Sequence, residues 1–220
     1  MADGGQPYVR LVLARARPEA GRWLERHWAT LDATSFPPVY AGAGRRLGDE
    51  RVHVNDDEAA ALVRHGLVVP EGWPLRDVGR SALLQRTVQK LDRAEASRFV
   101  EQLYRTSDNA EREALLRTLV MLPDPTAHVE TAIDACRSHV QSVFEALACE
   151  NPYPARYFPD HNFNQLVLKA FFTGVRVERI AGLAERRTEE LCRMANDYAS
   201  ERRAAGRPVP PDLGLVTELD

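Results

Sequence analysis

Asp92–Pro123 reads DRAEASRFVEQLYRTSDNAEREALLRTLVMLP and writes out a helix, a break and a second helix. Asp92 with Glu95, and Asp108 with Glu111, have the spacing of a capping box, in which each side chain takes up a backbone N–H that the helix leaves unpaired. Behind the first box, Ala96, Phe99, Val100, Leu103 and Tyr104 recur at i, i+3, i+4, i+7 and i+8, which is one helical face. Behind the second, Leu115, Leu119 and Leu122 carry the apolar content to Pro123, which has no N–H to continue the ladder. Two short amphipathic helices joined this closely predict an antiparallel hairpin.

The same pattern extends in both directions. Upstream, Asn55-Asp-Asp-Glu58 is another capping box and predicts a short helix through Leu62 and Val63 to Gly66. Pro74 suits a helix start, and Leu75, Val78, Ala82, Leu84, Val88 and Leu91 follow it. Val9 to Ala14 and the segment opened by Pro18-Glu19 read as two more helices. The glycines of AGAGRRLG, Gly42 and Gly44, lack the spacing of a phosphate-binding loop and follow no strand, so Pro37 to Leu47 is predicted as a helix ended by Gly48. Arg45 and Arg46 are candidate anion ligands there. Downstream of Asp124-Pro125, Val129, Ala132, Ile133, Cys136, Val140, Val143, Phe144 and Leu147 stay in phase, which predicts one long helix or two with a slight bend. Thr188 caps the last helix, with Glu189 and Glu190 in its first turn and Arg202 and Arg203 in its last. No segment has the period of a strand. The expected fold is all-α, with antiparallel helices stacked as in a HEAT-like α-solenoid or an irregular helical bundle. A single helical domain over 1–220 is expected, with N-terminal helices in 1–70, a hairpin array in 74–148 and a distinct C-terminal region in 150–213.

Composition narrows the partners. A formal charge of -3 and a pI near 6.1 give no general attraction to phosphate backbones or anionic lipid, so no nucleic-acid partner is expected. Cys136, Cys149 and Cys192 have neither disulfide-framework nor zinc spacing, and His161 has no second histidine at i+4, so neither metal nor cofactor is expected. No stretch approaches 18 apolar residues, and the N-terminal run is preceded by Asp3 rather than a basic region. The expectation is a cytoplasmic protein without direct membrane insertion. Of 29 basic residues only Lys90 and Lys169 are lysines, which makes Lys169 one of two side-chain amines open to general-base work.

The unusual chemistry lies in Asn151–Phe172, NPYPARYFPDHNFNQLVLKAFF. Asn151 and Tyr153 each precede a proline, which predicts an extended approach. Pro159-Asp160 then opens a helix, with Asp160 as its cap. Phe163, Leu166, Val167, Ala170 and Phe171 form one face, and Leu168 and Phe172 lie near the opposite side, so the helix is expected to be buried nearly all round. Polar groups on such a helix need partners. His161, Asn162, Asn164, Gln165 and Lys169, with Tyr153 and Tyr157 arriving before them, are candidate ligand-binding residues, and Arg202 is a candidate anion ligand. The alternative is that the amides bond nearby backbone and that Lys169 reaches the surface along its apolar stem.

Glu150–Leu183, ENPYPARYFPDHNFNQLVLKAFFTGVRVERIAGL, together with Glu190–Leu213, ELCRMANDYASERRAAGRPVPPDL, resembles the EboA-domain family. Phe36 to Gly48 is similar to an N-terminal segment of that family, whereas Pro74 to Ala148 matches in helical character. The resemblance implies a small helical bacterial protein encoded beside a prenyltransferase-like membrane protein, a sugar-phosphate-cyclase-like enzyme and metal-dependent hydrolase-like enzymes. It also implies a setting in secondary metabolism and precursor transport, but no reaction. The expected function is a binding or adaptor protein whose partner is a metabolite intermediate or a cluster-encoded enzyme. The alternative is an enzyme acting on a cyclitol-like or aromatic intermediate, with Lys169 or His161 as general acid or base.

Overall fold

The structure, a computed structural model, describes residues 5–217; Asp3 lies outside the described residues. It is all-α, and among the described residues the only extended pairings are two isolated bridges, Arg51 with Pro74 and Cys149 with Ile180. The chain forms two compact units that divide between Thr131 and Ala132.

The first unit holds α1 (Gln6–Leu13), α2 (Pro18–Thr30), α3 (Phe36–Leu47), α4 (Asp56–Arg64), α5 (Leu75–Val88), α6 (Arg93–Thr106) and α7 (Asn109–Thr118). The capping boxes at Asn55, Asp92 and Asp108 all form, each with both reciprocal hydrogen bonds. α7 stops at Thr118 and tightens into a 3₁₀ turn, Leu119–Met121, short of Pro123. Helix α5 packs against α1, α3 and α7, and only its Arg76 and Arg86 are less than fully buried. Gly79 permits this closeness: a Cβ there would lie 2.2 Å from Cδ1 of Leu47, so any larger residue must displace a buried side chain. Just past the end of α5, Lys90 donates from Nζ to the Leu31 carbonyl at 2.5 Å.

Polar groups also run through this core. Asp77 (1% exposed) accepts from Arg117 at 2.7 Å, and Arg80 (3% exposed) donates from Nε to the Tyr40 carbonyl at 3.2 Å. The Tyr40 hydroxyl donates to the Glu111 carbonyl at 2.8 Å, and Ser81 meets Thr118 at 2.6 Å. The network therefore ties α3, α5 and α7 through largely buried groups, with Arg117 at its partly exposed edge. Burial pushes the Asp77 carboxyl up despite Arg117, Arg76 and Arg80 around it. Replacing one member strands the others, and Asp77→Leu is expected to lower the unfolding free energy by about 3–5 kcal/mol in urea denaturation. A loss below about 1 kcal/mol would show that the network does not hold the unit together.

His128 ends a 3₁₀ turn, Pro125–His128, that packs on α6. It is 1% exposed, and neither ring nitrogen finds a hydrogen-bond partner among the described residues. Burial lowers its pKa from 6.5 to about 4, with Asp124 opposing the shift and Arg93 adding to it. The folded state thus disfavours the imidazolium, whereas the unfolded chain takes up the proton near 6.5. Stability is full above that value and falls as pH drops toward 4, by roughly 2–3 kcal/mol from this residue. Urea titrations at neutral pH and near pH 4.5 should show this drop in the wild type and a smaller one in His128→Phe.

The second unit begins within α8 (Val129–Cys136) and continues with α9 (Gln141–Ala148), α10 (Tyr153–Tyr157), α11 (Asp160–Thr173), α12 (Glu189–Ala204) and α13 (Gly214–Thr217). Two expectations are corrected here. Of the two readings of the stripe from Val129 to Leu147, the single long helix is overturned: it is two helices, and residues 137–140 leave the helical path between α8 and α9. Asn151–Pro154 is not an extended approach either, since Tyr153 already begins α10. Asn151 makes that turn possible: its Oδ1 accepts from the Tyr153 N–H at 3.0 Å while its Nδ2 donates to the Ala146 carbonyl at 2.9 Å. Pro154 then sits in the first turn, where its missing N–H costs nothing.

Candidate functional site

Helix α11 packs on α9, α12 and a 3₁₀ turn at Val177–Arg179. Phe163, Leu166, Val167, Ala170 and Phe171 are buried, as their spacing predicts. Burial all round is overturned, however: His161 and Gln165 are exposed, and Phe172 is 67% exposed. The cap is also corrected. Pro159 holds the N-cap position with no side-chain cap, and Asp160 instead accepts from Arg186 at 2.9 Å. The same guanidinium donates to the carbonyls of Ala155 and Phe158 and lies 4.7 Å from the centre of the Phe163 ring. Arg186 thereby fixes the angle between α10 and α11.

One side of α11 faces a cavity of about 480 Å³. His161, Asn162, Gln165 and Lys169 form its near wall, Ile133, Cys136, Arg137 and His139 its far wall, and Phe158 closes an end. The structure therefore brings together four of the predicted residues from α11. The side-chain amides of Asn162 and Gln165 make no hydrogen bond to any described residue, and both residues line the cavity. Lys169 is different, because its Nζ donates to the carbonyls of Cys136 at 2.6 Å and Ser138 at 2.5 Å and lies 4.7 Å from the centre of the Phe144 ring. The first carbonyl ends α8 and the second lies in the break just beyond it, so Lys169 closes the break between α8 and α9. Desolvation lowers the pKa of its ammonium.

The other predicted residues lie elsewhere. Tyr153 is fully buried, its ring 5.0 Å from that of the half-buried Tyr157 and tilted by 49° to it, and Asn164 is 3% exposed with no partner for its Oδ1 among the described residues. Arg202 lines a separate groove of about 660 Å³ with Phe172, Tyr198 and Pro208–Pro211, and donates from Nε to the Pro208 carbonyl at 3.0 Å. Sequence spacing did not mark Arg137 or His139, which reach the cavity from the break. Cys136, on the apolar stripe of α8, stands on the cavity wall. Burial pushes that thiol up to about 11, against the pull of Lys169 and Arg137, so it stays protonated at neutral pH and is a poor nucleophile.

The family model described as metabolite traffic protein EboA matches residues 9–218. The chain belongs to the EboA family. No curated protein and no solved structure matches it. The match covers the central helices as well as the C-terminal region, so the kinship is wider than the motifs in Glu150–Leu183 and Glu190–Leu213 convey. The described residues of this EboA-family chain contain no helix long and apolar enough to cross a membrane.

Lys169→Met removes two hydrogen bonds that a charged nitrogen donates to the carbonyls of Cys136 and Ser138, and leaves those carbonyls without that donor. The expected cost is about 1–3 kcal/mol. Backbone hydrogen exchange should quicken at residues 137–141 and stay unchanged in α5; unchanged exchange at the break would show that Lys169 does not hold it.

Proposed function

We propose that this EboA-family protein serves metabolite traffic as a cytoplasmic binding or adaptor protein that holds a small molecule in the cavity beside α11 and passes it to a pathway partner. The observation that carries this reading is the pair of amides, Asn162 and Gln165, that face the cavity with no hydrogen bond to described residues while Lys169 is fixed beside them. Polar groups converging on a concave, partly apolar wall are the usual make-up of a ligand site, and about 480 Å³ lies within the usual range of such pockets.

Binding is favoured over catalysis by the posture of the reactive groups. Lys169 directs two N–H bonds at fixed carbonyls, which suits a positioned cation better than a base that must meet a moving proton. His161 is exposed and has no hydrogen-bonded partner among the described residues to orient its ring, and Cys136 is held as a thiol.

Thermal unfolding in the presence of hydroxylated ring compounds tests the proposal. A ligand at 100 times its Kd adds about 2.7 kcal/mol, which raises Tm by roughly 5–10 °C in a chain of this size. The response should be lost in Asn162→Leu and Gln165→Leu, both of which retain the fold. A full response in these variants would place the ligand elsewhere.

A further inference from the structure

We propose that the cavity selects a small anion: a carboxylate, sulfonate or phosphate on a compact body, anchored by Lys169 and Arg137. This deepens the binding reading above and rests on it. The cavity wall holds Lys169, Arg137 and the imidazoles of His139 and His161, and no carboxylate among the described residues lines it. Asp160, next to His161 in sequence, accepts from Arg186. Asp134 lies 3.7 Å from Arg137 at a largely exposed position, where such a pair contributes little, and Glu190, near His161, accepts from Arg193 at 2.7 and 3.1 Å.

Lys169 gives the strongest evidence. It is half-buried, and its partners are two carbonyls and an aromatic face, none of which carries a full negative charge. A salt bridge with a carboxylate would cancel its charge; these partners only orient it. The carbonyl end of α8 offsets that charge in part, with about half an elementary charge at a helix terminus. An ammonium has three N–H bonds, so one remains after the two donations. The lowered pKa of Lys169 agrees with a cation that lacks a counter-ion, and an anion in the cavity would reverse that shift. Asn162 and Gln165 lie within two turns of it on α11 and suit hydroxyl or carbonyl oxygens on the same ligand, while Phe158 and Ile133 supply an apolar footing for its body.

Benzenesulfonate and benzenesulfonamide provide the test, because they share a shape and differ in charge throughout the neutral range. Each is titrated into the ¹⁵N-labelled full chain while the side-chain amide signals of Asn162 and Gln165 are followed. The sulfonate should move both signals and bind at least about ten-fold more tightly, a difference of about 1.4 kcal/mol. Arg137→Gln, an exposed change that spares the fold, should erase most of that preference, and Arg202→Gln in the separate groove should leave it intact. Equal affinity for the two probes would overturn the anion assignment and leave small-molecule binding standing. Silence of both amide signals into the millimolar range would overturn both.

Discussion

At the end of α8 the backbone turns out of its helical path and exposes carbonyls that no following N–H can reach. Those carbonyls must find a donor, and the donor comes from more than thirty residues away, on α11. The contact between the Lys169 ammonium and the oxygens of Cys136 and Ser138 sets the spacing between the break and α11. The break carries Arg137 and His139, so that spacing is also what leaves room for a cavity and decides which side chains face across it. Had the stripe from Val129 to Leu147 run on as a single helix, the far wall would present a regular helical face and the free carbonyls would not exist.

The first unit solves a related problem differently. A helix enclosed on all sides is normally apolar, yet α5 carries Asp77, Arg80, Ser81 and Gln85 into the core. Most of these groups are matched across helices, by Arg117, by the carbonyl of Tyr40 and by Thr118. Hydrophobic packing tolerates small rotations, whereas directional bonds at 2.6–3.2 Å do not. The arrangement fixes the rotation of α3 and α7 about α5, which apolar contacts alone would leave looser.

What the sequence discloses follows from how local each determinant is. The capping boxes at Asn55, Asp92 and Asp108 were legible because donor and acceptor lie three residues apart. The α8–α9 break was legible only as the alternative of two helices, because the apolar phase continues across it and its stabilising bonds come from Lys169. The prolines in Asn151–Pro154 argued for extended chain, but the side chain of Asn151 supplies a local cap that outweighs that preference. Within the candidate site, α11 gave the near wall, since His161, Asn162, Gln165 and Lys169 follow helical spacing. It also placed Asn164 among them, and Asn164 turns into the core instead. Burial of Asp77 and Arg80 could not be foreseen, because a charged residue in an amphipathic pattern reads as solvent-facing. The separation of Arg202 into another groove likewise depends on how α12 docks.

The chain has only two lysines, and both are tied to main-chain oxygens: Lys90 to Leu31 and Lys169 to Cys136 and Ser138. Acylation of either amine would abolish a charge and block a donor that closes off backbone, so lysine acetylation here acts on architecture rather than on surface recognition. For the same reason, amine-directed cross-linkers would find few side-chain handles on this protein, and those few would report on opening of the fold. An arginine-rich exterior leaves its many cations outside the reach of that chemistry.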